Sequence, residues 1–178
     1  MELGRRDFLR VSALAAAVTS LGGAPEAVEK RNGMPYRVLG KTNARVSLLC
    51  LGGAHIGLDS LTDEESITLQ RTAIDEGVNF LDNAYVYSGG RSEERMGKAL
   101  RDGYRDKVFL MTKTYTRERD GDGAQKQLEE SLRRLQTDHL DLWQVHQVME
   151  PHEPKWVYEK GILDVLTKAR QEGKVRFV

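Results

Sequence analysis

The chain has 178 residues and a mass of 20.1 kDa, enough for one domain with a sizeable core and too little for two comfortable ones. Its 27 basic and 27 acidic side chains cancel, so no net field would recruit nucleic acid or an anionic membrane. The only cysteine, Cys50, excludes an intramolecular disulfide and a cysteine metal cluster; its place in an apolar run predicts a buried, inert thiol.

The first element is an address. Residues 4 to 24 read GRRDFLRVSALAAAVTSLGGA: Arg5 and Arg6, then Asp7, Phe8 and Leu9, then a modest apolar stretch from Val11 to Leu21. That is a signal-peptide layout, too short and too rich in alanine for a membrane span. The arginine pair with its Phe-Leu resembles a bacterial twin-arginine export signal. The resemblance implies an export machinery as partner, a protein carried already folded with a ligand bound, and a final place in the periplasm or on the outer face of the inner membrane. Small residues at Gly22 to Ala24 and at Ala24 to Ala27 both offer cleavage points, so residues 1–30 are set aside as signal peptide and linker and 34–178 as the folded domain.

From Met34 onward, short apolar runs alternate with helical periodicity. MPYRVLGKTNARV carries the turn signal GKTN between two β-like pieces, which predicts a hairpin. RVSLLCLGG, Arg45 to Gly53, reads as a first buried strand. Thr62 to Gly77 reads as a helix: Thr62 is a good N-cap, Glu65 follows three residues later, and Gly77 stops it. VNFLD is a second strand, Ser92 caps the next helix with Glu93 and Glu94 in its first turn, and KVFLMTK is a third strand. Gly123 to Thr137 places Leu128, Leu132 and Leu135 on one helical stripe; HLDLWQVH is a fourth strand, Pro154 to Gly173 a further helix, and KVRFV a fifth strand.

Mostly apolar strands alternating with helices predict an α/β fold with a parallel sheet built from right-handed βαβ units. Periodicity alone does not separate an open doubly wound sheet from a (β/α)8 TIM barrel. The first βα junction, LGGAHIG, lacks the GxGxxG spacing of a dinucleotide fold, which tilts toward the barrel, with the hairpin across its bottom. The parallel strands then deliver Gly52 and Gly53, Asp82 with Tyr87 just beyond, Lys113 and His146 to one rim, where barrels assemble their sites. Singly, each has a commoner structural use: an aspartate as a cap, a lysine in solvent, a histidine in packing. Together an acid, a base, a phenol and an imidazole are the parts needed to protonate a carbonyl oxygen.

This set resembles the aldo/keto reductase family, through CLGG at the first strand, FLDNAYVYSGGRSEERMGKAL around the second, VFLMTK at the third and LDLWQVH at the fourth. Carried over by position, Asp82, Tyr87, Lys113 and His146 fall on the family's catalytic tetrad, and Gly53, Ala54 and Asp82 match positions near the nicotinamide ribose. Asn83 stands where the family usually has threonine, and Ser88 follows the tyrosine where glycine is common. The resemblance implies hydride transfer from NADPH or NADH to a small aldehyde or ketone, with Tyr87 donating the proton. A phenol is a reluctant acid at neutral pH; a nearby ammonium from Lys113 favours its ionised form, Asp82 holds that lysine, and His146 directs the carbonyl oxygen. A non-catalytic, cofactor-sensing protein of the same fold is the alternative, as is an inactive fragment.

The family's barrel has eight strands and this sequence runs into the fifth, so the chain is expected to represent the first four and a half βα units, without most of the cofactor-gripping groups. The segments His55 to Asp59, Thr114 to Asp122 and Gln147 to Pro154 are the visible candidates for substrate loops, with Met149, Pro151, His152 and Pro154 in the last. His152 has no partner at ligand spacing, so no metal site is expected.

Overall fold

The apolar runs become the strands of two sheets in a computed structural model that describes residues 28–116 and 120–178. Strands β1 (Lys30–Arg31), β2 (Met34–Val38) and β3 (Arg45–Ser47) form an antiparallel piece, and β4 (Cys50–Gly52), β5 (Phe80–Asp82), β6 (Phe109–Thr114), β7 (Leu140–Val145) and β8 (Val175–Phe177) form a parallel sheet. Between the parallel strands run α1 (Asp63–Asp75), α2 (Arg91–Ala99), α3 (Gly121–Leu135), α4 (Glu153–Glu159) and α5 (Ile162–Gln171), with 3-10 turns at Tyr87–Gly90 and Arg105–Lys107. The export signal expected at Arg5 and Arg6 lies outside the described residues. Among the described residues no helix is long and apolar enough to cross a membrane.

Strand order decides what periodicity could not. The parallel sheet runs β4-β5-β6-β7-β8, in chain order and without a reversal, so each right-handed crossover lands its helix on the same face. A doubly wound sheet reverses at a switch point and takes helices on both faces. A sheet wound in one sense is the wall of a (β/α)8 barrel.

The helix-covered face holds the core. Leu81, Leu110 and Trp143 from the strands join Met96, Leu128, Leu135, Ile162 and Leu166 from the helices in one buried cluster, each such side chain contributing roughly 1.5–3 kcal/mol by leaving water. Alternation puts the neighbouring strand residues on the other face, where the register aligns Cys50 with Phe80, Gly52 with Asp82, and Asp82 with Met111. Phe80 meets Phe109 edge-on at 5.4 Å, and Phe109 stacks on Phe177 at 6.2 Å. Those rings form an aromatic layer beneath the rim.

The hairpin docks at the N-terminal end of β5. The Tyr36 hydroxyl donates to the Gly77 carbonyl at 2.5 Å, and Asn79 bridges it, accepting from Ser47 N at 2.7 Å and donating to Arg45 O at 3.0 Å. This explains the first difference from the expected elements: Arg45–Ser47 pairs with β2, while the parallel strand begins only at Cys50. The second difference is a break in the expected helix from Pro154 to Gly173. Gly161 adopts φ +83°, and its carbonyl lies so near Gly121 that a Cβ there would sit 2.8 Å away, so α4 and α5 are separate helices with the start of α3 against their junction.

Candidate active site

Backbone ladders carry the four predicted catalytic residues to one rim. Asp82 ends β5, Lys113 is the last residue but one of β6, and His146 follows β7 directly. Beyond the regular strands the pairing continues, Asn83 N donating to Met111 O at 2.9 Å, Tyr85 N to Lys113 O at 3.0 Å and His146 N to Thr114 O at 2.8 Å. The side chains therefore start from fixed positions.

The Lys113 ammonium is ion-paired to Asp82 and also donates to the Asn83 carbonyl at 2.9 Å. It lies 5.4 Å from the centre of the Tyr87 ring. His146 also packs against that ring edge-on, at 5.6 Å and 83°. Thus all four expected residues meet, with the half-buried Tyr87 ring approached by both the cation and the imidazole. Tyr115, two residues after Lys113 and not singled out from the sequence, completes the wall by meeting the His146 ring at 6.4 Å; the period of two from Lys113 was the signal for it.

The neighbouring tyrosine does not compete. Tyr85 points to the helix side, where its hydroxyl donates to Glu130 Oε2 at 2.8 Å under the Arg134 guanidinium, 4.5 Å from the ring. Burial, then the Glu130 carboxylate, push its phenol above the ordinary tyrosine range, which further removes it from acid-base work near neutrality.

Both departures from the family pattern have a local account. Asn83, fully buried, accepts from Ala84 N at 2.8 Å through its Oδ1, lies 3.0 Å from the Ser92 hydroxyl, and donates to Met96 Sδ at 3.4 Å. It is a tie between the end of β5 and α2. Ser88 takes φ +50° and ψ +38°, followed by Gly89 and Gly90 at φ +64° and +99°. Three successive left-handed residues turn the chain sharply after Tyr87, and the serine occupies a conformation that glycine adopts without steric cost.

Of the residues expected to face a nicotinamide, Gly53 is buried in the junction between β4 and β5, while its neighbours Gly52 and Ala54 are exposed. Gly53 donates to the Asp82 carbonyl at 2.6 Å, and its own carbonyl lies 2.6 Å from the Ser92 hydroxyl. A Cβ at Gly53 would sit 2.7 Å from the Asn83 side chain, whereas one at Gly52 would meet nothing within 4 Å. At the end of β4 it is therefore Gly52, paired with Asp82, that leaves open backbone on which a flat ring system could lie. Ser92, expected as a helix cap, instead serves this junction, and the N-cap of α2 is Gly90.

Two arginines of α2 that the sequence reading did not single out hold the loop after Gly53. Arg95, itself buried, donates to the carbonyls of Ile56, Leu58 and Leu61 at 2.7 to 2.9 Å, and Arg91 to that of Gly57 at 2.6 Å. No local pattern announces this, because the acceptors are backbone carbonyls more than thirty positions earlier.

Cys50 corrects an expectation. It is exposed, on the barrel-facing side of β4. Its thiol is nevertheless pushed up to about 11, first because surrounding protein screens part of its hydration and next because the Asp82 carboxylate disfavours a second negative charge; Lys113 opposes this. His152 packs against Trp156 with ring centres 4.2 Å apart and planes tilted by 59°, and the described residues contain no cluster of His, Cys, Asp and Glu suited to a metal ion.

The sequence profile described as the Aldo/keto reductase family matches residues 48–178. The uncharacterized oxidoreductase YrpG of Bacillus subtilis is 39% identical over 134 residues, covering 65% of this chain and 40% of its own length. The methylglyoxal reductase YeaE of Escherichia coli is 38% identical over 133 residues, covering 74% of this chain and 44% of its own length. Among solved structures, the aldo/keto reductase of Klebsiella pneumoniae in complex with NADP and acetate superposes with a TM-score of 0.65 at 32% identity, over 76% of this chain and 46% of that one. The chain thus spans less than half the length of these relatives, and because the family profile matches from residue 48 to residue 178, this chain belongs to the aldo/keto reductase family.

Proposed function

We propose that the chain carries the proton-transfer side of an NAD(P)H-dependent reduction of an aldehyde or ketone, with Tyr87 as general acid. The observation that carries this reading is the Lys113 ammonium, paired with Asp82 and 5.4 Å from the centre of the Tyr87 ring. A nicotinamide, when bound, supplies the hydride to the carbonyl carbon. Asp82 holds Lys113 in place. The Lys113 charge stabilises negative charge developing on the phenol as its proton leaves for the carbonyl oxygen. His146, edge-on to the phenol ring, orients that oxygen and donates a hydrogen bond to it as charge grows. Exposed Gly52 and Ala54 leave the space in which the cofactor can approach Asp82, with buried Gly53 fixing the backbone between them.

NADPH is the first cofactor to try, since the Klebsiella pneumoniae relative was solved with NADP, and methylglyoxal the first carbonyl, from the E. coli relative's name. The test is NADPH oxidation with a panel of aldehydes by the natively expressed protein and its Tyr87→Phe variant. Turnover that Tyr87→Phe abolishes supports the reading. Cofactor binding without turnover of any aldehyde would favour a sensing role instead. The pair Arg5 and Arg6 with the apolar stretch behind it supports a further proposal, that the protein is exported folded by the twin-arginine machinery with its cofactor in place.

A further inference from the structure

We infer that the buried pair Glu93 and Arg134, on the helix side of the sheet, positions Tyr87 against Lys113. The inference rests on the reading of Tyr87 as the proton donor. Tyr87 stands on a turn with few ties of its own: its N–H donates to the Ala84 carbonyl at 3.0 Å, and three left-handed residues follow. Something outside the turn must hold it.

Arg134 touches both of its ends. Its Nη1 donates to the Tyr85 carbonyl at 3.2 Å, and its guanidinium covers the Tyr85 ring. Nη2 donates to Glu130 Oε1 at 2.7 Å, while the other oxygen of that carboxylate accepts the Tyr85 hydroxyl. At the far end the guanidinium carbon packs so closely on Gly90 that a Cβ there would lie 2.4 Å away. The chain from Tyr85 to Gly90 is thereby clamped on either side of Tyr87.

Glu93 connects that clamp to the lysine. One of its oxygens faces Arg134 Nη1 at 3.3 Å, and the other accepts from the Thr112 hydroxyl at 2.7 Å. Thr112 immediately precedes Lys113. The Glu93 side chain has no exposure at all, and that of Arg134 only 13%. Burial pushes the Glu93 carboxyl above the usual range against the pull of Thr112, Ser131 and Arg134. An apolar pair of similar volume would serve stability as well or better, but it would not fix two oxygens and a fork at set distances. What the ion pair supplies is geometry: the turn of the phenol and the strand of the ammonium are tied to one point, and a displacement of about 1 Å in such an arrangement can cost on the order of 10²-fold in rate.

The test uses the natively expressed protein, with NADPH and an aldehyde that it reduces. Arg134→Lys keeps a charge opposite Glu93 but loses the fork that reaches Tyr85 and Glu130 together. The double variant Glu93→Gln/Arg134→Met removes both buried charges at once. Positioning predicts that kcat falls by about 10-fold or more in each, with KM for the aldehyde and Kd for NADPH unchanged. A lower melting temperature with kcat intact would overturn the inference, leaving a purely structural pair. Where a charge variant fails to fold, Tyr85→Phe, which deletes one hydroxyl, decides in the same way: a several-fold loss in kcat at constant KM supports the clamp, and wild-type kcat overturns it. Tyr87→Phe is measured alongside, because full activity there removes the reading of Tyr87 itself, whatever the Arg134 variants do.

Discussion

Lys113 faces the ring of Tyr87 from 5.4 Å while its ammonium is engaged by Asp82, and that relationship separates two tyrosines only two positions apart. In the natively expressed protein, Tyr87→Phe should lower turnover by about the 10² to 10⁴-fold that general acid catalysis contributes, with NADPH binding little changed. Tyr85→Phe removes a hydroxyl bonded to Glu130 on the other side of the sheet and should cost no more than about 10-fold, through positioning. Steady-state kinetics of the two variants decide the matter, and a larger loss in Tyr85→Phe would reverse the assignment.

Ser88 sits at φ +50°, a region that costs a side-chain-bearing residue roughly 1–2 kcal/mol. Glycine relieves that strain but adds about 0.5–1 kcal/mol of unfolded-state entropy. The difference predicts that Ser88→Gly stabilises the fold by about 0.5 kcal/mol. Ser88→Val should destabilise it, because branching at Cβ is poorly tolerated there. Urea unfolding of the three proteins checks this, and a Ser88→Val as stable as the parent would show that the turn is not strained.

Much of the site was legible because its signals are local. The capping box of α1 is present as read, Thr62 accepting from Glu65 N at 3.1 Å while Glu65 accepts from Thr62 N at 2.8 Å, since cap and partner are three residues apart. The rim residues were legible too, because a parallel sheet must bring the ends of its strands together. What escaped depends on distant partners. The split of the first strand is imposed by Asn79, 32 residues after Ser47, and the clamp on Tyr85 by Arg134, 49 residues on. The break at Gly161 required knowing that α3 would start against it, and the solvent exposure of Cys50 required knowing how the barrel-facing side of β4 is covered.

Cys50 gives a pH prediction. The thiolate is the reactive form, and with the thiol pushed up to about 11 little of it exists near neutrality. Folded chain at pH 8 should react with iodoacetamide roughly 10²-fold more slowly than a free thiol of pKa about 8.5, despite its exposure. The rate should climb as pH rises through about 11. Because the folded state binds this proton more tightly than the unfolded chain, the associated stability is full below the unfolded thiol's pKa and lost as pH rises through the folded one. Asp82→Asn removes one cause of the shift and should speed alkylation; an unchanged or slower rate would contradict the placement of Cys50 beneath Asp82.

The export proposal turns on the guanidinium pair. Replacing Arg5 and Arg6 by lysine keeps the charge but alters the planar donor array, so the precursor should remain in the cytoplasm. Fractionation that still finds mature protein outside the inner membrane would argue against a twin-arginine route.

The last prediction concerns the 178-residue chain by itself. Among the described residues no strand lies beside the outer edge of β4 or of β8. Leu48, Leu49 and Val178, which flank those edges, are exposed, and unpaired backbone groups next to apolar side chains seek partners. The purified chain should therefore run as a dimer or soluble aggregate at micromolar concentration. Asp82, Tyr87, Lys113 and His146 supply proton chemistry, whereas by the family resemblance few groups here grip the nicotinamide amide or the phosphates. Binding should fail before chemistry does, and NADPH fluorescence should not change on mixing at micromolar cofactor. A monodisperse monomer that quenches or enhances NADPH fluorescence at that concentration would place the cofactor's grip within the five parallel strands described, and the exposed positions Gly52 and Ala54 at the end of β4 would then be the first place to look for it.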